Sequence, residues 1–530
     1  MIAPEHLRGM PASPGLADGP IFVLAEMFAD ERAAGTPEDE RAALKGAIAE
    51  ASTGIADLMG QSGEEGAAIL EFQLAMLEDD ALAEPAYEMI AAGASALAGW
   101  RAAMDAQITG FETADDDYFR ARAADLADIR DRVTAILTGS AAQTVPPGSV
   151  VAGEDITPSR FLQTDWSRGG AIVLGDGSPS SHVAILARAR GVPMVTGIGK
   201  ADFASHRRAL VDGGTGNVVL SPDGEAEARY RERCRIDAAQ RHLAEAHLLK
   251  PAVLADGERV QVMVNIAAPE DVDAIDIASC DGVGLMRSEF LFHGETALPD
   301  EKAQYLAYRK VLEWASGKPV TIRTLDAGGD KPVQGLTVEE ANPFLGLRGI
   351  RLSLTRPDVF KSQLRALARA AVYGDLKVML PMVTVPEEID EAARLLDGCL
   401  AELIGEGVPA KRPQLGIMIE VPAVAILPER FARAAFFSIG SNDLSQYVTA
   451  AARDSSAVAR LNTAGDPAVL HLIAHVAGEA KRLGIPLSLC GDAGSDPVLL
   501  PALLSAGLRT LSVAPTALGR VKSAISQIRP

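Results

Sequence analysis

Short apolar runs separated by longer amphipathic stretches recur through the C-terminal half of the chain. Eight runs follow one another, at residues 260–265, 282–286, 320–324, 377–381, 415–420, 436–440, 486–490 and 510–513. Successive runs begin at least about 20 residues apart, which leaves room for a crossover helix between parallel strands. Eight β/α units within residues 250–530 predict a (β/α)8 barrel. An open, doubly wound parallel sheet is the alternative that the same pattern allows.

A helical pattern occupies residues 29–142. Thr36 and Pro37 precede three acidic residues. This combination is typical of a helix start, because the hydroxyl caps the first turn, proline fits there, and acids lie near the positive end of the helix dipole. From Leu44 onwards apolar residues recur with a helical period, in Ala-rich sequence. We expect an all-helical subdomain here, such as a four-helix bundle.

The segments on either side of this helical block read as strands and turns. Residues 9–20 are rich in Gly and Pro and predict a loop, and the apolar residues 21–24 predict a strand. Further strand-like runs lie at 150–152, 171–174, 193–196, 210–211 and 217–220. We therefore expect one small α/β domain formed by 1–28 and 143–222, with the helical block inserted into it. The charged, Ala-rich residues 223–249 predict a helical linker to the barrel.

Composition narrows the functional classes. Of the 530 residues, 48% are hydrophobic, which is typical of folded domains, and no apolar stretch is long enough to span a membrane. The four cysteines are far apart, which suits reduced thiols better than disulfides or a zinc site. A net charge of −21 argues against nucleic-acid binding. We expect a soluble, cytoplasmic protein that inserts into no membrane.

The run 175–190 carries the first candidate chemistry. A loop of Gly, Ser and Pro delivers His182 to the start of an apolar, helix-like stretch. A helix N-terminus has unpaired N–H groups and a positive dipole end, so it favours a negatively charged group placed there. Imidazole is a competent nucleophile near neutral pH. A phosphorylated histidine suits this setting, although a capped helix with a purely structural histidine would have the same local sequence.

Polar and reactive residues end several of the predicted barrel strands, where barrel enzymes have their active sites. They are Arg287, Arg323, Glu420, Asn442, Asp443 and Cys490. Arg348 and Arg453 lie in following loops. Several arginines at one barrel end describe a cradle for a small polyanion, since guanidinium groups match phosphate and carboxylate oxygens. Glu420 and Asp443 are suitable ligands for Mg²⁺, which prefers a few carboxylates with water and substrate phosphate.

Several motifs identify a resemblance. Residues 175–190 resemble the phosphohistidine segment of the phosphoenolpyruvate-utilising enzymes, with Ser178 where that family usually has the second Gly. Residues 437–453, from Phe-Ser-Ile-Gly-Ser-Asn-Asp to Ala-Ala-Ala-Arg, resemble the family's second signature closely. Shorter matches lie at 281–292, 321–331, 342–348, 419–422 and 489–492, and residues 12–15 resemble the N-terminal signature of enzyme I of the bacterial phosphoenolpyruvate:sugar phosphotransferase system. Asp492 stands where enzyme I commonly has Glu.

The resemblance implies roles for the barrel residues. Arg287, Arg323 and Arg453 would hold the phosphate and carboxylate of phosphoenolpyruvate. Asn442 and the backbone at Asp443 would assist.

It also implies the metal and the proton donor. Glu420 and Asp443 would bind Mg²⁺, with Mn²⁺ as an alternative. Cys490 would protonate C3 of the enolate as pyruvate forms, and His182 would receive the phosphoryl group on Nε2.

For the whole chain, the resemblance implies that residues 29–142 bind the phosphocarrier protein HPr, that the His182 domain swivels on the linker, and that the barrel forms a homodimer. Two alternatives stand beside enzyme I. A dikinase or phosphoenolpyruvate synthase shares the motifs but needs a nucleotide-binding domain for which the sequence leaves no room. A regulatory relative would bind phosphoenolpyruvate without turnover.

Overall fold

The structure is a computed structural model that describes residues 4–24, 35–61, 64–112, 117–140, 144–179, 181–292, 298–329, 331, 333–338, 340–452 and 458–529. The chain divides into two compact units, Met1–Ile236 and Asp237–Pro530. The division falls within one long helix, α8 (Gly224–Leu248). Within the described residues no helix combines the length and the apolar character needed to cross a membrane.

A mixed eight-stranded sheet forms the core of the first unit. Its strands are β1 (Glu5–Arg8), β2 (Met10–Ser13), β3 (Leu16–Val23), β4 (Val150–Gly153), β5 (Ala171–Leu174), β6 (Met194–Thr196), β7 (Arg208–Asp212) and β8 (Asn217–Leu220). They are ordered β1-β8-β7-β3-β4-β5-β6-β2, with the central β3, β4, β5 and β6 parallel. The central strands β4, β5 and β6 are buried along their whole length, as parallel strands covered on both faces should be.

Among the described residues between β3 and β4, the chain forms five helices. They are α1 (Pro37–Gln61), α2 (Glu64–Glu78), α3 (Asp80–Ala91), α4 (Ala96–Glu112) and α5 (Asp117–Thr138). The first starts where the sequence predicted, since Thr36 Oγ1 accepts a hydrogen bond from Asp39 N at 3.2 Å. Leu44, Trp100 and Leu126 are fully buried in a core that this block shares with one face of the sheet.

Three further helices complete the first unit and leave it. They are α6 (Pro158–Gln163), α7 (His182–Arg190) and α8 (Gly224–Leu248). Helix α8 is largely exposed. It carries ion pairs whose two partners are one helical turn apart, such as Arg229–Glu225 and Arg241–Asp237. Helix α8 corresponds to the charged helix that the sequence predicted for residues 223–249.

Eight parallel strands close into a barrel in the second unit, because β10 pairs with both β11 and β17. The strands are β10 (Arg259–Ile266), β11 (Val283–Met286), β12 (Val320–Arg323), β13 (Leu376–Leu380), β14 (Gln414–Ile419), β15 (Phe437–Ile439), β16 (Leu487–Leu489) and β17 (Thr510–Val513). The short β9 (Ala252–Val253) pairs antiparallel with β10 outside the closed ring.

Helices surround this barrel. They are α9 (Glu301–Trp314), α10 (Ile350–Thr355), α11 (Pro357–Ala370), α12 (Pro386–Gly405), α13 (Pro422–Ile426), α14 (Ser441–Thr449), α15 (Pro467–Leu483), α16 (Leu500–Ser505) and α17 (Leu518–Ile525). The main core lies between strands and helices and contains, for example, Ile322, Leu367 and Leu396. A smaller buried cluster includes Met379, Met418 and Cys490.

The predicted fold class is confirmed: the chain is a multidomain α/β protein with a helical block, a sheet carrying His182 and a closed eight-stranded parallel barrel. The open-sheet alternative is wrong. One local difference concerns residues 9–20, which predicted a loop. The structure has strand β2 there and begins β3 at Leu16. The exact domain bounds stay predictions.

Candidate functional site

His182 is the first residue of helix α7. Ser181 caps this helix, and its Oγ accepts a hydrogen bond from Ala184 N at 3.2 Å. Gly191 ends it in the left-handed conformation with φ 65°, which glycine adopts without strain. The imidazole therefore lies at the end of the helix where N–H groups are unpaired and the dipole is positive.

The loop before His182 is held by an arginine of the same helix. Arg188 Nη1 donates to Pro179 O at 2.8 Å and to Ala12 O at 2.7 Å. Ser178, which replaces a family glycine, is not among the described residues with a positive φ. The serine therefore fits this loop without the left-handed backbone strain that a lost glycine can cause. Ser180 lies outside the described residues.

A carboxylate of the helical block lies beside the imidazole. Asp125 Oδ1 of helix α5 is 3.4 Å from His182 Nδ1. The Asp125 side chain is fully buried, whereas 25% of the His182 side chain is exposed. The sequence alone does not reveal this contact, because the two residues are 57 positions apart.

In the barrel unit, the ends of the strands bring buried charges together. Arg323, the last residue of β12, is 4% exposed. Its Nη2 donates to Glu289 Oε1 at 2.9 Å, and its Nη1 lies 3.2 Å from Asp326 Oδ2. Burial alone would lower the pKa of this guanidinium, but the two carboxylates outweigh burial and raise it. Its Nε has no hydrogen-bond partner within the described part of the chain.

Arg348 lies at the centre of this charge cluster and is wholly buried. Nε and Nη2 donate to the two oxygens of Asp326, and Nη1 and Nη2 donate to those of Asp443, all at 3.0 Å. Nη1 also contacts Tyr447 Oη at 3.3 Å. These bonds use its N–H donors in this structure, and the expectation that Arg348 contributes to substrate binding stays a prediction. Arg348 holds Asp326 and Asp443 in place.

Glu420 follows strand β14 and is 1% exposed. Its Oε1 accepts a short hydrogen bond from Met382 N at 2.6 Å, while Oε2 has no partner within the described residues. Met382 has a φ of 57°, an uncommon conformation for a non-glycine residue, which aims its N–H at the carboxylate. Burial, and next the negative charge of Asp443, raise the pKa of Glu420 to about 8.

Cys490 follows strand β16 and is 4% exposed. Its Sγ lies 3.6 Å from Ile439 O, close enough for a weak S–H hydrogen bond. Burial raises the pKa of the thiol to about 11. The sulfur is therefore a protonated, neutral group at physiological pH and a possible proton donor.

Asn442, at the start of helix α14, is held by Asp492, the residue that stands where enzyme I commonly has Glu. Asn442 Nδ2 donates to Asp492 Oδ2 at 2.8 Å, and Asp492 N donates to Asn442 Oδ1 at 3.0 Å. The shorter Asp492 therefore orients the amide. Arg287 is exposed just after β11. Arg453 lies outside the described residues.

The structure thus gathers Arg323, Glu420, Asp443 and Cys490 at the C-terminal ends of the barrel strands. It adds Glu289, Asp326 and Met382, to which the sequence analysis gave no role. Asp326 and Glu289 lie inside matched motifs, so the signal was present in the sequence. Their roles were not visible, because the spacing of a motif does not reveal which carboxylate contacts which arginine.

Oxygen ligands for a metal are present in this cluster. Glu420 offers a buried oxygen without a partner, and Asp443 lies near enough to affect its pKa. Across the described ranges, no group of three or more His, Cys, Asp or Glu residues forms a protein-only metal site. Two carboxylates suit Mg²⁺, which completes its coordination with water and substrate oxygens.

Comparison with protein families gives three matches in chain order. Residues 8–122 match the N-terminal domain of PEP-utilising enzymes, 145–216 match their mobile domain, and 241–529 match their PEP-binding domain. His182 falls within the mobile domain, and the charge cluster falls within the PEP-binding domain.

Curated relatives match over nearly the whole chain. A protein of Bacillus sp. (strain S) named phosphoenolpyruvate-protein phosphotransferase is 36% identical, with 99% of this chain and 94% of that protein covered. The protein of the same name from Geobacillus stearothermophilus is 37% identical, with 98% and 92% covered. A solved structure described as enzyme I (nEIt) is 26% identical over 43% of this chain and 97% of its own, with a TM-score of 0.34.

Proposed function

The chain belongs to the family of PEP-utilising enzymes, and from that premise we propose that it is a phosphoenolpyruvate-protein phosphotransferase. It transfers the phosphoryl group of phosphoenolpyruvate to its own His182 and releases pyruvate. The phosphoryl group then passes to a histidine of the phosphocarrier protein HPr.

The observation that carries this proposal is the buried charge cluster at the barrel mouth. Arg323 Nε and Glu420 Oε2 are buried there without partners among the described residues. An unpaired buried polar group is costly, so such atoms are expected where a polar ligand binds. The arginine would bind an anionic ligand, and the carboxylate would bind a divalent metal ion that accompanies this anion.

Phosphoenolpyruvate suits this cluster, since it carries about three negative charges near neutral pH. Arg323, with Arg287 and Arg453, would neutralise the phosphate and carboxylate, and Asn442 would donate a further hydrogen bond. Arg348 belongs to the same arginine set, and its bonds to Asp326 and Asp443 would in addition fix these carboxylates around the ligand. Phosphoryl transfer depends chiefly on such positioning and charge stabilisation.

The carboxylates fit Mg²⁺, with Mn²⁺ as an alternative that accepts the same oxygen ligands. Glu420 and Asp443 would hold the ion, and the free Oε2 of Glu420 is the oxygen that supports this assignment. When bound, the ion supplies positive charge to the phosphate oxygens of the substrate.

The residues of the chain then have distinct tasks. The lone pair on His182 Nε2 forms a bond to phosphorus, while the bond from phosphorus to the enolate oxygen breaks and that oxygen keeps the electron pair. The S–H of Cys490 gives its proton to C3 of the enolate, and pyruvate results. The raised pKa of the thiol supports this role, because the proton is present at neutral pH.

HPr would dock on the helical block α1–α5, of which α1–α4 and the start of α5 lie in the N-terminal family match. This block contacts His182 through Asp125, so a carrier bound there would approach the phosphohistidine. His182 and the barrel mouth belong to different compact units, so the transfer cycle requires the two units to meet and separate.

The test is incubation with phosphorus-labelled phosphoenolpyruvate and Mg²⁺, followed by recovery of acid-labile label. We expect the native chain to be labelled and to pass label to HPr, and His182→Ala to take none. His206→Ala is the matched control, because His206 lies in the same unit and contacts Glu5 and Ser221. Label on His182→Ala, or its loss in His206→Ala alone, would refute the assignment. Phosphoenolpyruvate binding without any label would favour a regulatory relative.

A further inference from the structure

The carboxylate of Asp125 touches the nitrogen of His182 that the proposed reaction does not use. Its Oδ1 is 3.4 Å from Nδ1, whereas the phosphoryl group is expected on Nε2. We propose that Asp125 is a positioning residue for phosphoryl transfer, which keeps the proton of neutral His182 on Nδ1 and the lone pair on Nε2. This inference rests on the proposed function of His182.

The argument starts from the chemistry of the two groups. An ionised carboxylate can only accept hydrogen bonds, and a neutral imidazole donates from one nitrogen and accepts at the other. A carboxylate beside Nδ1 therefore selects the tautomer with Nδ1–H. That tautomer leaves the lone pair on Nε2, where a nucleophile needs it. The distance is long for a hydrogen bond, as is common before substrate binds.

Burial makes this contact effective. The Asp125 side chain is fully buried, and a buried charge is retained only where it has polar partners. In a medium with few waters its interaction with the ring is stronger than at the surface. A quarter of the His182 side chain stays exposed, so the ring can be fixed at its Nδ1 edge and still be accessible to a phosphoryl donor.

The same carboxylate stabilises the product. When the lone pair of Nε2 bonds to phosphorus and the bond to the enolate oxygen breaks, the ring keeps its Nδ1–H and gains positive charge. Asp125 then faces a cationic ring, which strengthens the hydrogen bond. A contact that is stronger in the transition state than in the free enzyme accelerates the chemical step.

The chain offers a matched control one turn along the same helix. Asp128 is 4% exposed, and its Oδ2 accepts from Gln73 Nε2 at 3.0 Å and from Ser159 N at 2.9 Å. Its two bonds tie helix α5 to α2 and α6, away from the His182 ring. Asn keeps an acceptor oxygen at either position, so Asp125→Asn and Asp128→Asn change the same charge in the same helix.

The experiment uses full-length chain labelled with ¹⁵N at histidine, with the His182 signals assigned by their loss in His182→Ala. At about pH 8.5, where imidazole is neutral, two-bond ¹⁵N–¹H spectra report which nitrogen carries the proton. We expect Nδ1–H in the native chain and in Asp128→Asn, and an increased share of Nε2–H in Asp125→Asn.

Single-turnover labelling is measured on the same samples. We expect Asp125→Asn to form phosphohistidine at least about tenfold more slowly at saturating phosphoenolpyruvate, with the KM for phosphoenolpyruvate within about twofold. Asp128→Asn should stay within about threefold of the native rate.

Two results would overturn the inference: a native chain with the proton on Nε2, or Asp125→Asn labelled at the native rate. The tautomer of the native chain decides the question even where Asp125→Asn does not fold. The tautomer measurement needs no substrate. If the native chain takes no label, the proposed function fails, and the tautomer result still tests the role of Asp125 by itself.

Discussion

At the scale of single residues, burial changes what the side chains at the barrel mouth can do. A cysteine in water would be partly ionised in mildly alkaline solution. Cys490 is held neutral because burial raises its pKa to about 11. It is therefore suited to giving a proton rather than to attacking as a thiolate.

We predict that Cys490→Ala abolishes stereospecific protonation of the enolate. The native chain should add the proton to one face of C3, because the donor is fixed in a buried site. In the variant, water protonates both faces. Phosphoenolpyruvate with one hydrogen isotope placed stereospecifically (E or Z) at C3, turned over in water of another isotope, yields a chiral methyl group from the native chain and a racemic one from the variant. Cys399→Ala, at another buried cysteine, is the control. Chiral pyruvate from Cys490→Ala would assign the proton to another donor.

Glu420 provides a prediction about pH. Its pKa is raised from 4.5 to about 8, so the folded, metal-free chain holds this proton more tightly than the unfolded chain does. This tighter proton binding adds to the free energy of unfolding of the metal-free chain. The added stability is fully present below pH 4.5 and is lost as pH rises through about 8. With chelator present, we expect the native chain to lose stability relative to Glu420→Gln across this window. Mg²⁺ should reverse the trend.

Denaturant titrations at several pH values, with chelator and with Mg²⁺, measure this difference. Glu402→Gln, whose carboxylate is half exposed, should follow the native chain throughout. A native chain that gains stability relative to Glu420→Gln from pH 5 to 8 in chelator would contradict the raised pKa.

At the scale of elements, the start of helix α7 combines structure and chemistry. Ser181→Ala removes the cap at Ala184 N and should cost about 1 kcal/mol of stability. It should also slow phosphorylation, since the cap fixes the turn that holds His182. Thr157→Ala removes the corresponding cap of α6, where Thr157 Oγ1 accepts from Arg160 N, and should destabilise to a similar degree. Thermal unfolding and labelling rates separate the effects, and equal rates in the two variants would mean that the α7 cap is only structural.

Elements were predictable where the apolar pattern matched their burial. Each of the eight runs assigned to the barrel contains a strand. The runs are continuously apolar because the residues of these strands, such as Val320 and Ile417, are buried on both faces of the sheet. Strand β2 was missed, since Pro11 and the nearby glycines are typical of turns. It lies at the edge of its sheet, where proline is tolerated.

The candidate site was predictable only in part. The motifs located His182, Arg323, Glu420 and Cys490 on the right elements. They did not reveal that Arg348 is buried between two carboxylates or that Asp125 contacts His182, because both arrangements depend on contacts between distant residues. Such contacts are set by packing of the fold, which a single sequence does not display.

At the scale of the whole molecule, the proposed function divides the chemistry between two units. His182 belongs to Met1–Ile236, and the phosphoenolpyruvate-binding residues belong to Asp237–Pro530. The boundary falls in α8, a helix whose side chains are mostly exposed and many of which are charged. Few buried contacts oppose a change in the path of such a helix, which suits a segment that must let one unit move.

We further propose that the chain forms a homodimer through its barrel, so that one unit is fixed while the other moves. The proposal rests on the family resemblance, which implies that the barrel pairs with a second copy. Sedimentation of full-length His182→Ala tests this, because the variant binds phosphoenolpyruvate without consuming it. We expect a monomer–dimer equilibrium that shifts towards dimer with phosphoenolpyruvate and Mg²⁺, since a ligand that promotes association must bind the dimer more tightly. By the same linkage, the affinity for phosphoenolpyruvate should be higher at protein concentrations at which the dimer predominates. A chain that stays monomeric at tens of micromolar with and without ligand would contradict the dimer, and a shift with Mg²⁺ alone would assign the linkage to the metal.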